Sequence, residues 1–303
     1  MHTAITGAFQ VLLAGVCWGT YGTIASFLPR SMSSLAVGSL RLGIGAIGIA
    51  VVLLASRKGR LLTHIALLPK RQILVAAIAL GMAQVTLYLG IRSAGVTVAT
   101  MIFIGTPPLF SGLYAQVFRN ERQTRSWGIS SLIIMFGCIC MALADNTNQY
   151  ESNLLTGSLY ALAAGAGWTL VGTLLRDMQK SASPLESSFV IMGVSSVVML
   201  PFALLSDRAW ATEVRVLPLV IALGLFSSAL PYWLFTTGAR RIPASHAFLY
   251  GLSEPITASL LGLIVLKERL NMLGSIGYLA VVCGLVCFSV WEIRSARSMI
   301  GHD

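Results

Sequence analysis

Ten apolar stretches of roughly 19 to 25 residues, separated by short polar connections, constrain this chain more than anything else in its sequence. They cover approximately residues 5–27, 34–56, 72–92, 95–118, 126–144, 154–175, 187–206, 216–238, 242–266 and 271–293. A helix rises about 1.5 Å per residue, so each stretch can cross a hydrocarbon layer about 30 Å thick. Inside that layer every backbone N–H and C=O must be satisfied within the protein, which favours helices for runs of this length. Only 11% of the 303 residues are charged and the mean hydropathy is +0.80. A soluble domain carries about 25% charged residues. The expected fold is therefore an all-α polytopic membrane protein with ten transmembrane helices.

The loops carry the charge. On the side of both termini lie fourteen basic residues: Arg57, Lys58, Arg60, Lys70, Arg71, Arg119, Arg122, Arg125, Arg176, Lys180, Arg240, Arg241, Arg294 and Arg297. The opposite side has six, namely Arg30, Arg92, Arg208, Arg215, Lys267 and Arg269. By the positive-inside rule the N- and C-termini are cytoplasmic. Because the net charge of +10 sits between apolar runs rather than on one amphipathic face, the partner it implies is the lipid bilayer and not nucleic acid. The start, Met1-His2-Thr3, has no basic region, and the first run continues past Trp18, so it is expected to remain as a spanning helix. Cys17, Cys138, Cys140, Cys283 and Cys287 all lie inside apolar runs. They read as small packing residues, with neither a metal site nor a cofactor expected.

The halves of the chain are related. Gly15-Val16-Cys17-Trp18 reappears 150 residues later as Gly165-Ala166-Gly167-Trp168. At a spacing of 147, Pro108 maps to Pro255, Glu121 to Glu268, Arg122 to Arg269, Gly137 to Gly284 and Cys140 to Cys287. Apolar runs share Leu and Ala by chance, but not Trp, Pro and Glu-Arg in one register. The expected organisation is a first repeat over 1–145, an inter-repeat loop over 146–153, a second repeat over 154–295 and a cytoplasmic tail over 296–303. Each repeat has five spans, an odd number, so the second enters the membrane from the opposite face. Two inverted five-helix repeats are an architecture of secondary transporters.

The ninth stretch carries the costliest residues. At about 100° per residue, His246, Tyr250, Ser253, Glu254 and Thr257 fall on one arc of a continuous helix. An ionised carboxylate at mid-bilayer costs about 2.5–3.5 kcal/mol. Glu254 is thus either a site for a substrate ammonium or a proton, or a neutral acid bonded to a carbonyl that a proline has freed. Pro255 and its counterparts Pro107 and Pro108, with Pro231 in the eighth span, are candidate hinges, since each removes a backbone donor. The alternative is a static kink.

The matching face of the fourth span, with Phe103, Thr106 and Pro107, is apolar and aromatic, which would suit a solute with a polar head and a greasy side chain. Trp18 and Trp168 lie well inside their helices and either face a cavity or fill a groove between close-packed helices. Gln84 with Tyr88, and Ser228 with Tyr232, repeat an i, i+4 arrangement on the third and eighth spans. They are candidates for substrate contact or for interhelical hydrogen bonds. His246 titrates near neutrality in water, although a satisfied structural histidine is the commoner case. Arg41, inside the second span, is read as structural, snorkelling outward or paired with a carboxylate.

These features leave out other classes of function. The spans contain no serine–histidine pair on a nucleophile turn, no paired aspartates and no zincin helix, as an intramembrane enzyme would need. Rings of like charge or carbonyl filters, as in a channel, are absent too. The tail of each repeat is a proline-centred helix, then Arg119-Asn120-Glu121-Arg122 or Lys267-Glu268-Arg269-Leu270, then a Gly-rich helix. This pattern, together with Arg41, resembles the EamA domain of the drug/metabolite transporter superfamily over nearly the whole chain, and is most similar to the YddG-type aromatic amino acid exporters. The second copy departs from it in having no arginine where Arg41 maps.

The resemblance implies export of aromatic and other mostly apolar amino acids across a bacterial inner membrane, and the two halves are expected to work by alternating access, as a monomer or within an oligomer. Broad drug or metabolite export is the alternative within the superfamily. Phosphorylated or nucleotide-linked sugars fit less well, since they would call for several basic residues in the cavity.

Overall fold

The computed structural model describes residues 2–29, 31–57, 69–120, 123–144, 153–178, 182–205, 209–265, 267 and 271–300. The expected inter-repeat loop lies outside these apart from Asn153, as do Glu121, Arg122, Glu268 and Arg269. The described residues are helical, with no strand. The first repeat contributes α1 (His2–Ala25), α2 (Ser34–Arg57), α3 (Lys70–Ala94), α4 (Val96–Arg119) and α5 (Arg125–Ala144). The second contributes α6 (Leu154–Met178), α7 (Pro184–Leu204), a composite α8, a broken α9 and α10 (Met272–Ile300). In α8, helical Val216–Gly224 and Leu230–Ala239 flank a π-helical turn over Leu225–Ala229, while α9 is split into Ala244–Gly251 and Ser253–Ile264. Nine of these rods are long and apolar enough to cross a membrane; in α5 the apolar part is the shorter Arg125–Met141.

Helix ends follow local chemistry. The seventh helix starts three residues before its apolar stretch, because Ser183-Pro184-Leu185-Glu186 forms a capping box. The Ser183 N–H and hydroxyl donate to Glu186 Oε2 at 2.9 and 2.7 Å, and the Glu186 N–H donates back to Ser183 Oγ at 3.3 Å. The two non-glycine residues with left-handed backbone among those described are Asn120 (φ 54°) and Lys267 (φ 56°). They are 147 residues apart, so both copies leave α4 and α9 by the same turn. Cys17, Cys138 and Cys140 are buried as packing residues should be, whereas Cys283 and Cys287 are exposed on α10.

Packing between the copies follows a twofold pattern. The sixth helix packs on α3 and α4, as α1 packs on α8 and α9; α2 pairs with α7, and α5 with α10. Single contacts exchange in the same way. A Cβ on Gly15 would strike Ser253, and one on Gly165 would strike Thr106, each partner standing 147 residues from the other. Likewise Gly137 packs on Val281 and Gly284 on Ile134. These close approaches are what small residues are for between membrane helices, where dispersion and shape replace the hydrophobic effect. Trp18 and Trp168, equivalent in sequence, touch each other at 5.5 Å between ring centroids.

The α5–α10 crossing offers a direct test of this packing. A Cβ on Gly137 would lie 2.6 Å from the Gly277 carbonyl oxygen, and one on Gly277 2.6 Å from that of Gly137. Gly137→Val should cost about 1–3 kcal/mol through overpacking. Gly22→Val, where nothing lies within 4 Å, should change little. Thermal midpoints in detergent will compare the two; equal midpoints would show that α5 and α10 do not meet as described.

Candidate functional site

Pro255 has no N–H to give, so the carbonyl of Gly251, four residues earlier, loses its helical partner. The helix breaks there, with Leu252 at ψ 4° between the two halves of α9. This corrects the expectation of one continuous polar face. Before the break, His246 and Tyr250 turn to α10, their rings 5.1 and 5.2 Å from that of Phe288. After it, Ser253 donates to the Leu12 carbonyl of α1 at 2.8 Å and Thr257 to the Ser253 carbonyl at 3.0 Å. Of the five residues, Glu254 alone lines the cavity between the two copies. In contrast, α4 runs through Pro107 and Pro108 as one helix.

The rest of the cavity wall is Trp18 of α1, Phe103, Ile104 and Pro107 of α4, Trp168 of α6, Phe235 of α8, and Phe248, Gly251 and Leu252 of α9. Both copies contribute, and Pro107 occupies the register of Glu254. The aromatic rings of the wall, with Tyr232 behind them, form one connected set. Trp18 meets Trp168 at 5.5 Å, Tyr232 at 5.8 Å and Phe235 at 5.5 Å. Trp168 meets Tyr232 at 5.7 Å, Phe235 at 6.0 Å and Phe248 at 6.5 Å. Several are edge-to-face, the arrangement that sets a ring's positive edge against its neighbour's negative face. Neither cavity indole N–H has a protein acceptor among the described residues. The cavity has about 20 Å³ open to water, room for roughly one molecule. A larger solute requires the walls to part.

The remaining sequence candidates sit elsewhere. Gln84 and Tyr88 are half-buried on α3 and outside the cavity lining. Tyr232 is buried behind the two tryptophans. Ser228 is buried in the π turn of α8, where it meets Arg41.

That meeting corrects the sequence reading of Arg41, which neither snorkels outward nor pairs with a carboxylate among the described residues. Its Nη1 donates to the Ser228 hydroxyl at 3.2 Å and to the Ser227 carbonyl at 3.4 Å. Pro231 lies four residues after Ser227 and lacks the N–H that would have served that carbonyl. The Arg41 guanidinium also lies over the Tyr21 ring, 5.0 Å from its centroid. Thr20, next to Tyr21 on α1, shares a 3.0 Å hydrogen bond with the Ser227 hydroxyl.

The sequence profile of the EamA-like transporter family matches residues 5–143 and, a second time, residues 155–290. The chain belongs to the EamA-like transporter family. It is accordingly a multi-pass membrane transporter built from two copies of one unit. It is 29% identical to the uncharacterized transporter YwfM of Bacillus subtilis over 292 residues, 96% of each chain. It is 24% identical to the threonine/homoserine exporter RhtA of Escherichia coli over 194 residues, 61% of this chain and 64% of that one. One solved crystal structure superposes with a TM-score of 0.81 at 15% identity, over 95% of this chain and 98% of the other, a likeness of fold.

Within this transporter, sequence reasoning passed over Phe235 and Phe248. Phe235 stands three residues after Tyr232 and shares its helix face, which was an available signal. Phe248 had none, because its place depends on the α9 break. The π turn was equally hidden, although Pro231 marked its end.

Proposed function

We propose that this transporter exports amino acids, chiefly those with aromatic or other apolar side chains, by alternating access around the central cavity. One observation carries the reading: a single carboxylate, Glu254, stands in an otherwise aromatic and apolar wall drawn from both copies. Such a wall offers dispersion contacts to a greasy side chain and one charge to an ammonium. The exporter RhtA, among the relatives, supports an amino acid as cargo. Phosphorylated cargo is disfavoured by the lining, which includes no lysine or arginine.

Alternating access follows from the same arrangement. With five spans each, the copies are inverted in the membrane, both termini are cytoplasmic and the membrane is the bacterial inner membrane. Exchange of equivalent contacts between them then closes one side as it opens the other. The break at Pro255 and the π turn before Pro231 supply the bending points, with Pro107 and Pro108 opposite. A monomer contains the whole cavity.

The test is uptake of a labelled amino acid panel into proteoliposomes with and without a pH gradient. Saturable flux with counterflow, strongest for aromatic and aliphatic amino acids, supports the reading. Equal transport of hydrophobic cations lacking a carboxylate would replace it with broad drug export, and flux without saturation would indicate a channel.

A further inference from the structure

Arg41, about two turns into α2, is a cation with few partners among the described residues. Its guanidinium has five N–H donors in a planar fork. Among the described residues Nη1 is bonded to Ser228 and to the Ser227 carbonyl, and the buried Nε–H has no acceptor. Tyr21 covers one face of the group. No carboxylate among the described residues pairs with it, and its partner Ser228 stands four residues before Tyr232, whose ring touches Trp18 and Trp168 of the cavity wall. An unpaired charge at this depth is costly and marks a pathway or ligand site more often than a packing device.

We propose that Arg41, with Ser228 and Thr20 at the π turn of α8, is the subsite for the substrate's carboxylate, while Glu254 receives its ammonium. The idea rests on the amino acid reading above and adds to it the group that distinguishes an amino acid from an amine. A carboxylate approaching the free edge of the fork satisfies Nε and neutralises the charge, with geometry that lysine's single ammonium does not reproduce. The Thr20–Ser227 bond and the proline-freed Ser227 carbonyl hold the π turn and the guanidinium in place. A π-helical turn is an uncommon element that recurs at functional sites, and here it presents the Ser227 carbonyl and the Ser228 hydroxyl to Arg41. The second copy has no arginine at the equivalent position, so the cation that meets the carboxylate comes from the first copy, while Glu254 comes from the second. The substrate thereby bridges the two units that must move.

The experiment compares proteoliposome counterflow of phenylalanine and of phenethylamine, the same molecule without its carboxylate. The proteins are the wild type, Arg41→Gln, Arg41→Lys and Ser228→Ala. The expected result is that wild type prefers phenylalanine, that Arg41→Gln weakens its apparent affinity at least tenfold while phenethylamine flux is kept, and that Arg41→Lys falls between. Ser228→Ala, a small change that leaves the charge in place, should lower the phenylalanine preference alone. Equal losses for both compounds in Arg41→Gln and an unchanged preference in Ser228→Ala would make Arg41 a structural residue and overturn the proposal. Wild-type flux of no amino acid in the panel would overturn the functional reading itself, and this subsite with it.

Discussion

Trp168→Ala is expected to lower amino acid export at least tenfold while the protein still inserts into the membrane, and Trp18→Ala to do so less severely. The difference follows from the rings each indole touches. Among the described residues Trp168 meets Trp18, Tyr232, Phe235 and Phe248, while Trp18 meets Trp168, Tyr232 and Phe235. Each aromatic pair contributes about 0.5–1.5 kcal/mol beyond its buried area. Loss of the Trp168 pairs alone is therefore about 2–6 kcal/mol, shared between cohesion of the two copies and the surface offered to substrate. Trp168→Phe separates the two parts. It keeps a ring at the contact and should preserve most of the thermal midpoint, yet with a narrower face it should still slow export. Rates and midpoints measured together on these three variants decide the point. Wild-type flux in Trp168→Ala would remove the cavity from the transport path.

Glu254→Gln is expected to weaken apparent affinity for amino acids about 10–100-fold without loss of stability. A charge-assisted hydrogen bond is worth about 1.5–3 kcal/mol, and about 1.4 kcal/mol is a factor of ten. Stability should hold or rise, because an amide in the membrane interior avoids the cost of a carboxylate. That combination distinguishes a substrate contact from a structural acid bonded to the loosened backbone of α9, whose loss would lower the midpoint. Normal affinity in the variant, with a normal midpoint, would mean that Glu254 does not meet the cargo.

Some features of the site were legible before any coordinates. Trp18 and Trp168 stood out as rare residues at matching places, and the structure sets them in contact in the cavity wall. Glu254 and Pro107 were assigned to one register, and both line the cavity. The separation of the polar side chains of α9 was not legible, because the periodicity argument assumes an unbroken helix and Pro255 breaks it at Leu252. The partners of Arg41 were not legible, because the Ser228 hydroxyl and the Ser227 carbonyl reach it only through the π turn of α8.

Sequence alone determined the spans, their number and the relation of the two halves. Those depend on the length of apolar runs and the spacing of rare residues, both properties of the chain as a line. Only the tertiary structure decided which side chains meet in the cavity. That depends on a break in α9 and a π turn in α8, each of which rotates all later residues of its helix relative to those before it. A rotation of this kind comes from how freed carbonyls find partners across helices, and proximity across helices is fixed when the copies pack together.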